Sequence, residues 1–389
     1  MNDLWDDIAY ESINKFGEEL CGDMVQLVKE KSETVLVLAD GLGSGTKANI
    51  LATLTSKIIS TMIASKMSIE ECVATMINTL PTCKTRGIAY TTFTIISIIE
   101  KTYARVVQYD NPKVILLRNG KNYDYPTQTH IISGKRILES TIKLQEDDVF
   151  VVFSDGALYA GEGKNLNYNW TRKEIISYLE GNYDEKPTAK TITAGLLNTC
   201  NDLYINRPED DITVATVQIR KRQVINLLFG PPEDYHDFMK MISLFFAKKG
   251  KYIVSGGTTS SLVAKYLGKN LDTSIERLDP NIPPISKLEG VDLVTEGVIT
   301  ISQVVDYGKD YLEENHYFDK WNKQMDGASQ IARLLFNKAT DINCYVGTAI
   351  NPAHQNPKLP NKLNIKIQLM EELKKVLEKM GKNVNVSYF

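Results

Sequence analysis

The sequence predicts an α+β domain, built mainly of antiparallel sheet with flanking helices, followed by a three-layer α/β domain with a largely parallel sheet. Two observations predict this. After Gly87, four β-rich runs (AYTTFTIISIIE, YARVVQYD, KVILLRNG and DDVFVVFSDG) follow at short intervals, with helical patterns before and after them. From about Arg222 onward, strand and helix patterns alternate, as a parallel sheet with crossover helices requires. The domains are therefore set at 1–221 and 222–389, and a chain of 389 residues is long enough for two cores.

Composition narrows the function classes. Hydrophobic content of 43% and charged content of 24% are those of a soluble globular protein. A net charge of −3 argues against a nucleic-acid partner. No apolar stretch approaches the roughly 20 residues that would span a bilayer, so no membrane partner is expected. The start, MNDLWDDIAY, lacks the basic and apolar regions of a signal peptide. Cys21, Cys72, Cys83, Cys200 and Cys344 have no CxxC spacing and read as reduced thiols, which predicts a cytoplasmic protein.

In order along the chain, residues 8 to 30 read as two extended segments around the turn Cys21-Gly22-Asp23. Asp23 taken alone is an ordinary turn aspartate. Val35 to Ala39 form an unbroken apolar run, a strand buried on both faces that ends in Asp40 and then in Gly41, Gly43 and Gly45. A charge at the end of a core strand is costly unless it is paired or bound to a metal. Helices follow over Thr46 to about Ser65, with Leu51, Leu54, Ile58 and Met62 as the apolar stripe, and over Ile69 to Leu80. VFVVFSDG repeats the device of an apolar strand ending in aspartate and glycine, at Asp155–Gly156. After helical patterns near 171–180 and 188–204, RPEDD sets Asp210 and Asp211 at the start of the strand ITVATVQIR.

Each Asp-Gly pair alone is most simply a turn. Several strand-end carboxylates in one domain, if the sheets bring them together, would repel and raise each other's pKa unless cations neutralise them. Oxygen donors without His or Cys favour hard cations, Mg²⁺ or Mn²⁺, over zinc. The four histidines, His130, His236, His316 and His354, show no ligand spacing. GLGSG after a strand also invites a dinucleotide reading. That fingerprint needs a wider spacing to its third glycine than Gly43 to Gly45 gives, and a βαβ unit directly afterwards.

CGD, ADGLGSGTKAN, FSDG and DDIT, in this order, resemble the metal-dependent protein phosphatase (PPM) superfamily, and within it the bacterial branch typified by the stage II sporulation phosphatase E. The resemblance covers roughly residues 8 to 220 and implies a β-sandwich flanked by helices with two ions, Mn²⁺ or Mg²⁺, at one edge. It implies that Asp40 bridges both ions, that Gly41 ligates one through its carbonyl, and that Asp155 and Asp210 hold the other. Asp211 is a lesser metal candidate, because relatives often carry a neutral residue there. Asp23 would hold water behind the ions, and Asp23 and Asp40 are the catalytic candidates. The implied reaction is hydrolysis of phosphoserine or phosphothreonine on a bacterial regulatory protein by a metal-bridging water, with anti-sigma-factor antagonists as the usual substrates. Leu42 stands where eukaryotic type 2C members carry a histidine, so the general acid is unassigned. Arg86 and Lys47 are named as substrate grips only because they lie near the motifs. The alternative is a phosphatase-fold signalling module of little or no activity that binds partners or a small ligand.

The second half matches no catalytic motif. SGGTTSS, residues 255–261, reads either as a tight turn with an N-cap by Thr258, Thr259 or Ser260, or as an anion cradle at a helix start; the first is favoured. Asp292 and Glu296 stand near a strand end in the same way. Residues 222–389 are expected to regulate the phosphatase, to sense a ligand, or to dimerise the protein into a homodimer.

Overall fold

The computed structural model describes residues 3–79, 91–162, 170–183, 187–273, 285–313, 321–349 and 365–389. Cys83, Arg86, His316, His354 and most of TSIERL lie outside these residues. The chain divides into two compact units, Met1–Lys221 and Arg222–Phe389.

The first unit has two antiparallel sheets. Its strands are β1 (Leu4–Ile13), β2 (Asp23–Lys29), β3 (Glu33–Gly41), β4 (Thr91–Ile99), β5 (Tyr103–Tyr109), β6 (Ile115–Arg118), β7 (Lys121–Asn122), β8 (Gln128–Ile132), β9 (Lys135–Lys143), β10 (Val149–Phe153) and β11 (Ile212–Lys221). One sheet runs β1-β11-β10-β6-β7 and the other β2-β3-β4-β5-β9-β8. Helices α1 (Gly45–Ala64) and α2 (Ile69–Thr79) pack on the second sheet. Helices α3 (Asp155–Leu158), α4 (Arg172–Gly181) and α5 (Ala189–Leu203) pack on the first.

The result is four layers, helix, sheet, sheet and helix, with three cores between them. Continuous apolar runs make this arrangement, because the central strands must be hydrophobic on both faces. Along β3, Leu36 and Leu38 enter the core between the sheets, while Val35, Val37 and Ala39 face α1 and α2. Along β10, Phe150 and Val152 enter the same inter-sheet core, and Val149, Val151 and Phe153 face the other helices.

Helix α1 departs from the expected stripe. It buries Ala48, Ala52, Thr55, Ser56, Ile59 and Ile63, whereas Leu54 is 49% exposed. The reason is distance. A Cβ on Gly41 would lie 2.2 Å from the Ala48 carbonyl oxygen, so the helix rides directly on the end of β3. Near Gly41 only small side chains fit between them, so Ala48 and Ala52 take the inner face and Leu54 is turned outward. Further along the helix Ile59 and Ile63 are buried, and Ile58 and Met62 pack against the same core.

The second unit is a three-layer α/β fold. Its strands are β12 (Val224–Phe229), β13 (Lys251–Ser255), β14 (Asp272–Thr273), β15 (Ser286–Lys287), β16 (Leu293–Thr295), β17 (Asp341–Val346) and β18 (Asn383–Tyr388). They form one sheet in the order β14-β15-β16-β13-β12-β17-β18, parallel from β16 to β18 and antiparallel at β14 and β15. Helices α6 (Tyr235–Ala247) and α7 (Gly257–Leu267) cover one face. Helix α8 (Val298–Glu313) and the helices at Gly327–Ala332 and Ile365–Lys379 cover the other. The α6 stripe Phe238, Met241, Ile242 and Phe245 is fully buried, as its spacing requires.

Candidate metal centre

Two strand pairs, one from each sheet, deliver the carboxylates. In the antiparallel pair β2/β3, Asp23 stands directly opposite Asp40. The Gly41 N–H donates to the Gly22 carbonyl at 3.1 Å, which closes the pair at its end. Asn49 of α1 ties the same turn down by donating to the Cys21 carbonyl at 2.8 Å. In the pair β10/β11, the Ser154 N–H donates to the Thr213 carbonyl at 3.0 Å, and the Thr213 N–H donates to Ser154 Oγ at 2.9 Å. This lays Asp155, in the first turn of α3, beside Asp210 and Asp211. The approach is so close that a Cβ on Gly156 would sit 2.1 Å from the Asp211 carbonyl oxygen. A side chain there is excluded by the neighbouring backbone.

All five aspartates act on one another electrostatically. Burial, and then the charges of Asp23, Asp155, Asp210 and Asp211, push the Asp40 carboxyl up to about 9. Burial pushes Asp23 up to about 8; the hydroxyls of Thr213 and Ser154 favour its charged form, and Asp211 and Asp155 oppose it. Asp155 is raised by burial, against which the Gly156 N–H and a hydrogen bond with Asp40 work. Burial and the charge of Asp155 lift Asp210 to about 6. Desolvation thus leads in every case, and the mutual repulsion expected from the sequence is the smaller cause.

Asp211 is turned inward. One oxygen accepts the Lys15 N–H at 3.0 Å, while Oδ2 is buried without a partner, as is Asp23 Oδ2. The segment before β2 is strapped over the Asp210–Asp211 turn by that bond and by the Phe16 N–H donating to the Pro208 carbonyl at 2.8 Å. Glu18 anchors the same segment to the start of α1, accepting from Ser44 Oγ at 3.1 Å. Ser154, Thr213, Lys15 and Glu18 were not singled out from the sequence. Ser154 and Thr213 had a signal, as polar residues within the strings FSDG and DDIT. Lys15 and Glu18 had none. Leu42 is 37% exposed, and Lys47 is exposed in the first turn of α1.

Among the described residues, no three His, Cys, Asp or Glu side chains already surround a point where an ion would sit. The donor set nevertheless fits hard divalent cations. Every candidate ligand is a carboxylate or carbonyl oxygen, Asp23 and Asp211 each have a buried carboxylate oxygen with no hydrogen-bond donor, and the carboxyls of Asp23, Asp40, Asp155 and Asp210 are all raised. Carboxyls raised in this way hold protons where a cation would otherwise sit, and a bound cation would displace them.

A helix-flanked pair of antiparallel sheets with strand-end aspartates converging from both is the construction of the metal-dependent protein serine/threonine phosphatase class. Residues 30–220 match the model of the stage II sporulation protein E (SpoIIE) family. Asp23 precedes the matched span. No curated protein matches the chain in sequence. Among solved structures, the phosphatase domain of SpoIIE from Bacillus subtilis is similar at 17% identity and a TM-score of 0.44, covering 57% of this chain and 95% of its own. RsbX in complex with magnesium is similar at 20% identity and a TM-score of 0.40, covering 56% and 97%. The RsbU and RsbW domains of a Mycobacterium tuberculosis protein are similar at 17% identity and a TM-score of 0.46, covering 56% and 62%.

Proposed function

We propose that the chain hydrolyses phosphoserine or phosphothreonine on a bacterial regulatory protein, with Mn²⁺ or Mg²⁺ held by Asp40, the Gly41 carbonyl, Asp155 and Asp210, and with Asp211 in a supporting place. The observation that carries this reading is the convergence of buried, charge-coupled aspartates from both sheets at one edge of the sandwich. Divalent cations there would acidify an attacking water and neutralise charge on the phosphoryl oxygens.

The protein's own residues do the rest. Asp40, opposite Asp23 and under the charge of Asp155, is the group through which the two sheets share one charge centre. Asp23, buried and with one oxygen unpartnered, would orient water by accepting its hydrogen bond. Gly41 and Gly156 hold the aspartate turns against α1 and β11, which fixes their spacing. Phosphorylated anti-sigma-factor antagonists are the substrates that the family resemblance suggests. Residues 222–389 are assigned a regulatory or ligand-binding role.

The test is phosphate release from p-nitrophenyl phosphate and a phosphoserine peptide with Mn²⁺, Mg²⁺ or EDTA, alongside Asp40→Asn and Asp155→Asn. Metal-dependent turnover lost in both variants is the expected result. Metal binding without turnover would instead make the chain a signalling module, and absence of both would overturn the reading.

A further inference from the structure

The sheet of the second unit reverses its order between β12 and β17: the chain lays β13 and β16 on one side of β12, and then β17 and β18 on the other. In parallel sheets of this kind ligands bind outside the carboxyl ends of the strands, near the reversal. A cavity of about 470 Å³ lies there, of a size that takes a small metabolite. Its wall includes Gly256, Gly257, Thr259, Glu296, Gly297 and Lys366.

Four features of that wall suit an anion. Helices α7 and α8 both begin at it, and a Cβ on Gly297 would lie 3.4 Å from Gly256 Cα, so the two amino ends are neighbours. Gly256, at φ +129°, is the residue before α7, and no side chain caps that helix. This corrects the expected N-cap by Thr258, Thr259 or Ser260, all of which lie inside the helix; Ser260 and Ser261 bond back to the carbonyls of Gly256 and Gly257. Thr259 is fully buried, and its Oγ1 has no hydrogen-bond partner. Leaving a buried hydroxyl unpaired is costly, and a ligand acceptor would satisfy it. Lys366 reaches the wall from the helix Ile365–Lys379, donating to the Ala349 carbonyl at 2.7 Å.

Glu296 sets the rest of the ligand. Its exposed carboxylate stands at the start of α8, close enough that a Cβ on Gly257 would lie 3.1 Å from it. A carboxylate accepts hydrogen bonds from hydroxyl groups. We propose that this cavity binds a phosphate monoester of a hydroxylated small molecule, with the phosphate at the amino ends of α7 and α8 beside Lys366 and Thr259, and with the hydroxyls on Glu296. Sugar phosphates and nucleoside monophosphates share this chemistry. The site stands independently of the phosphatase reading.

The experiment is calorimetric titration of the full chain, in EDTA to silence hydrolysis, with inorganic phosphate, ribose 5-phosphate, AMP and ribose. Ribose 5-phosphate or AMP should bind more tightly than inorganic phosphate, and ribose should not bind. Lys366→Ala and the isosteric Thr259→Val should each weaken binding at least about tenfold. Glu296→Gln should weaken ribose 5-phosphate but not inorganic phosphate. AMP tighter than ribose 5-phosphate would identify a nucleotide site, and equal affinities a sugar-phosphate site; either supports the proposal. No binding of any phosphate at about 10 mM, or binding undiminished in both Lys366→Ala and Thr259→Val, would overturn it.

Discussion

The metal-free protein should lose stability as pH rises, the opposite of the usual behaviour of a protein with paired surface carboxylates. Asp23 has an ordinary carboxyl value of 3.8 and is pushed up to about 8 in the fold, chiefly by burial. A raised folded-state pKa contributes stability that is fully present below the unfolded value and is lost as pH rises towards the folded value. Between pH 5 and 8 the unfolded chain has released this proton and the folded chain still holds it. The slope is then about 1.4 kcal/mol per pH unit, or about 4 kcal/mol over the interval from Asp23 alone. Asp40, raised to about 9, acts in the same direction, but part of its shift is the charge of Asp23, so the two effects do not add. Urea unfolding in EDTA at pH 5, 6, 7 and 8, fitted with one transition per unit, measures the slope. Mn²⁺ should flatten it by taking the place of the protons, and Asp23→Asn should reduce it. A stability in EDTA that is constant or rises over this range, or an unchanged slope in Asp23→Asn, would refute the argument.

Other perturbations have equally definite outcomes. Asp40→Asn should cut metal-dependent turnover by at least about a thousandfold, since several kcal/mol of charge stabilisation depend on the cations; in EDTA at pH 8 the same variant should unfold at higher urea than the wild type. Gly156→Ala should cost about 2–4 kcal/mol in urea unfolding, because its Cβ would meet the Asp211 carbonyl oxygen at 2.1 Å and neither backbone can yield freely. Asp148 is fully buried and accepts two bonds from Arg118, at 2.8 and 2.9 Å. Asp148→Ala should therefore destabilise the first unit by about 3–5 kcal/mol while leaving metal affinity near that of the wild type, as calorimetry would report.

The parts of this protein legible in its sequence are those where burial dictates composition along a short stretch. The run Val35–Ala39 could only be a strand with a core on each face, and Asp40 could then only sit at its end. Pairing across distance was not legible. Nothing local says that β1 joins β11, or that the segment holding Lys15 and Glu18 folds over Asp210 and Asp211. One member of the expected α1 stripe, Leu54, departs for a related reason, while Ile58 and Met62 pack against the core as expected. Periodicity finds the larger apolar residues, but at the start of the helix the close approach at Gly41 selected Ala48 and Ala52 for the inner face, and the isoleucines Ile59 and Ile63 enter it only further along. At residues 255–261 the glycines were legible as a turn, but the capping residue was not, because it depended on the backbone conformation of Gly256.

The pairing of β1 with β11 also governs how the first unit can be made. Leu4–Ile13 waits for Ile212–Lys221, so the five-stranded sheet cannot close until its last strand has left the ribosome. Asp23 and Asp40 emerge early, Asp210 nearly last, and β10 has no neighbour on its β11 side throughout that interval. A nascent chain stopped short of Asp210 would carry Asp23, Asp40 and Asp155 together with an open strand edge, a state prone to pair with other chains. Closing the sheet with the unit's first and last strands means that no shorter product of translation can bring the aspartates of both sheets together.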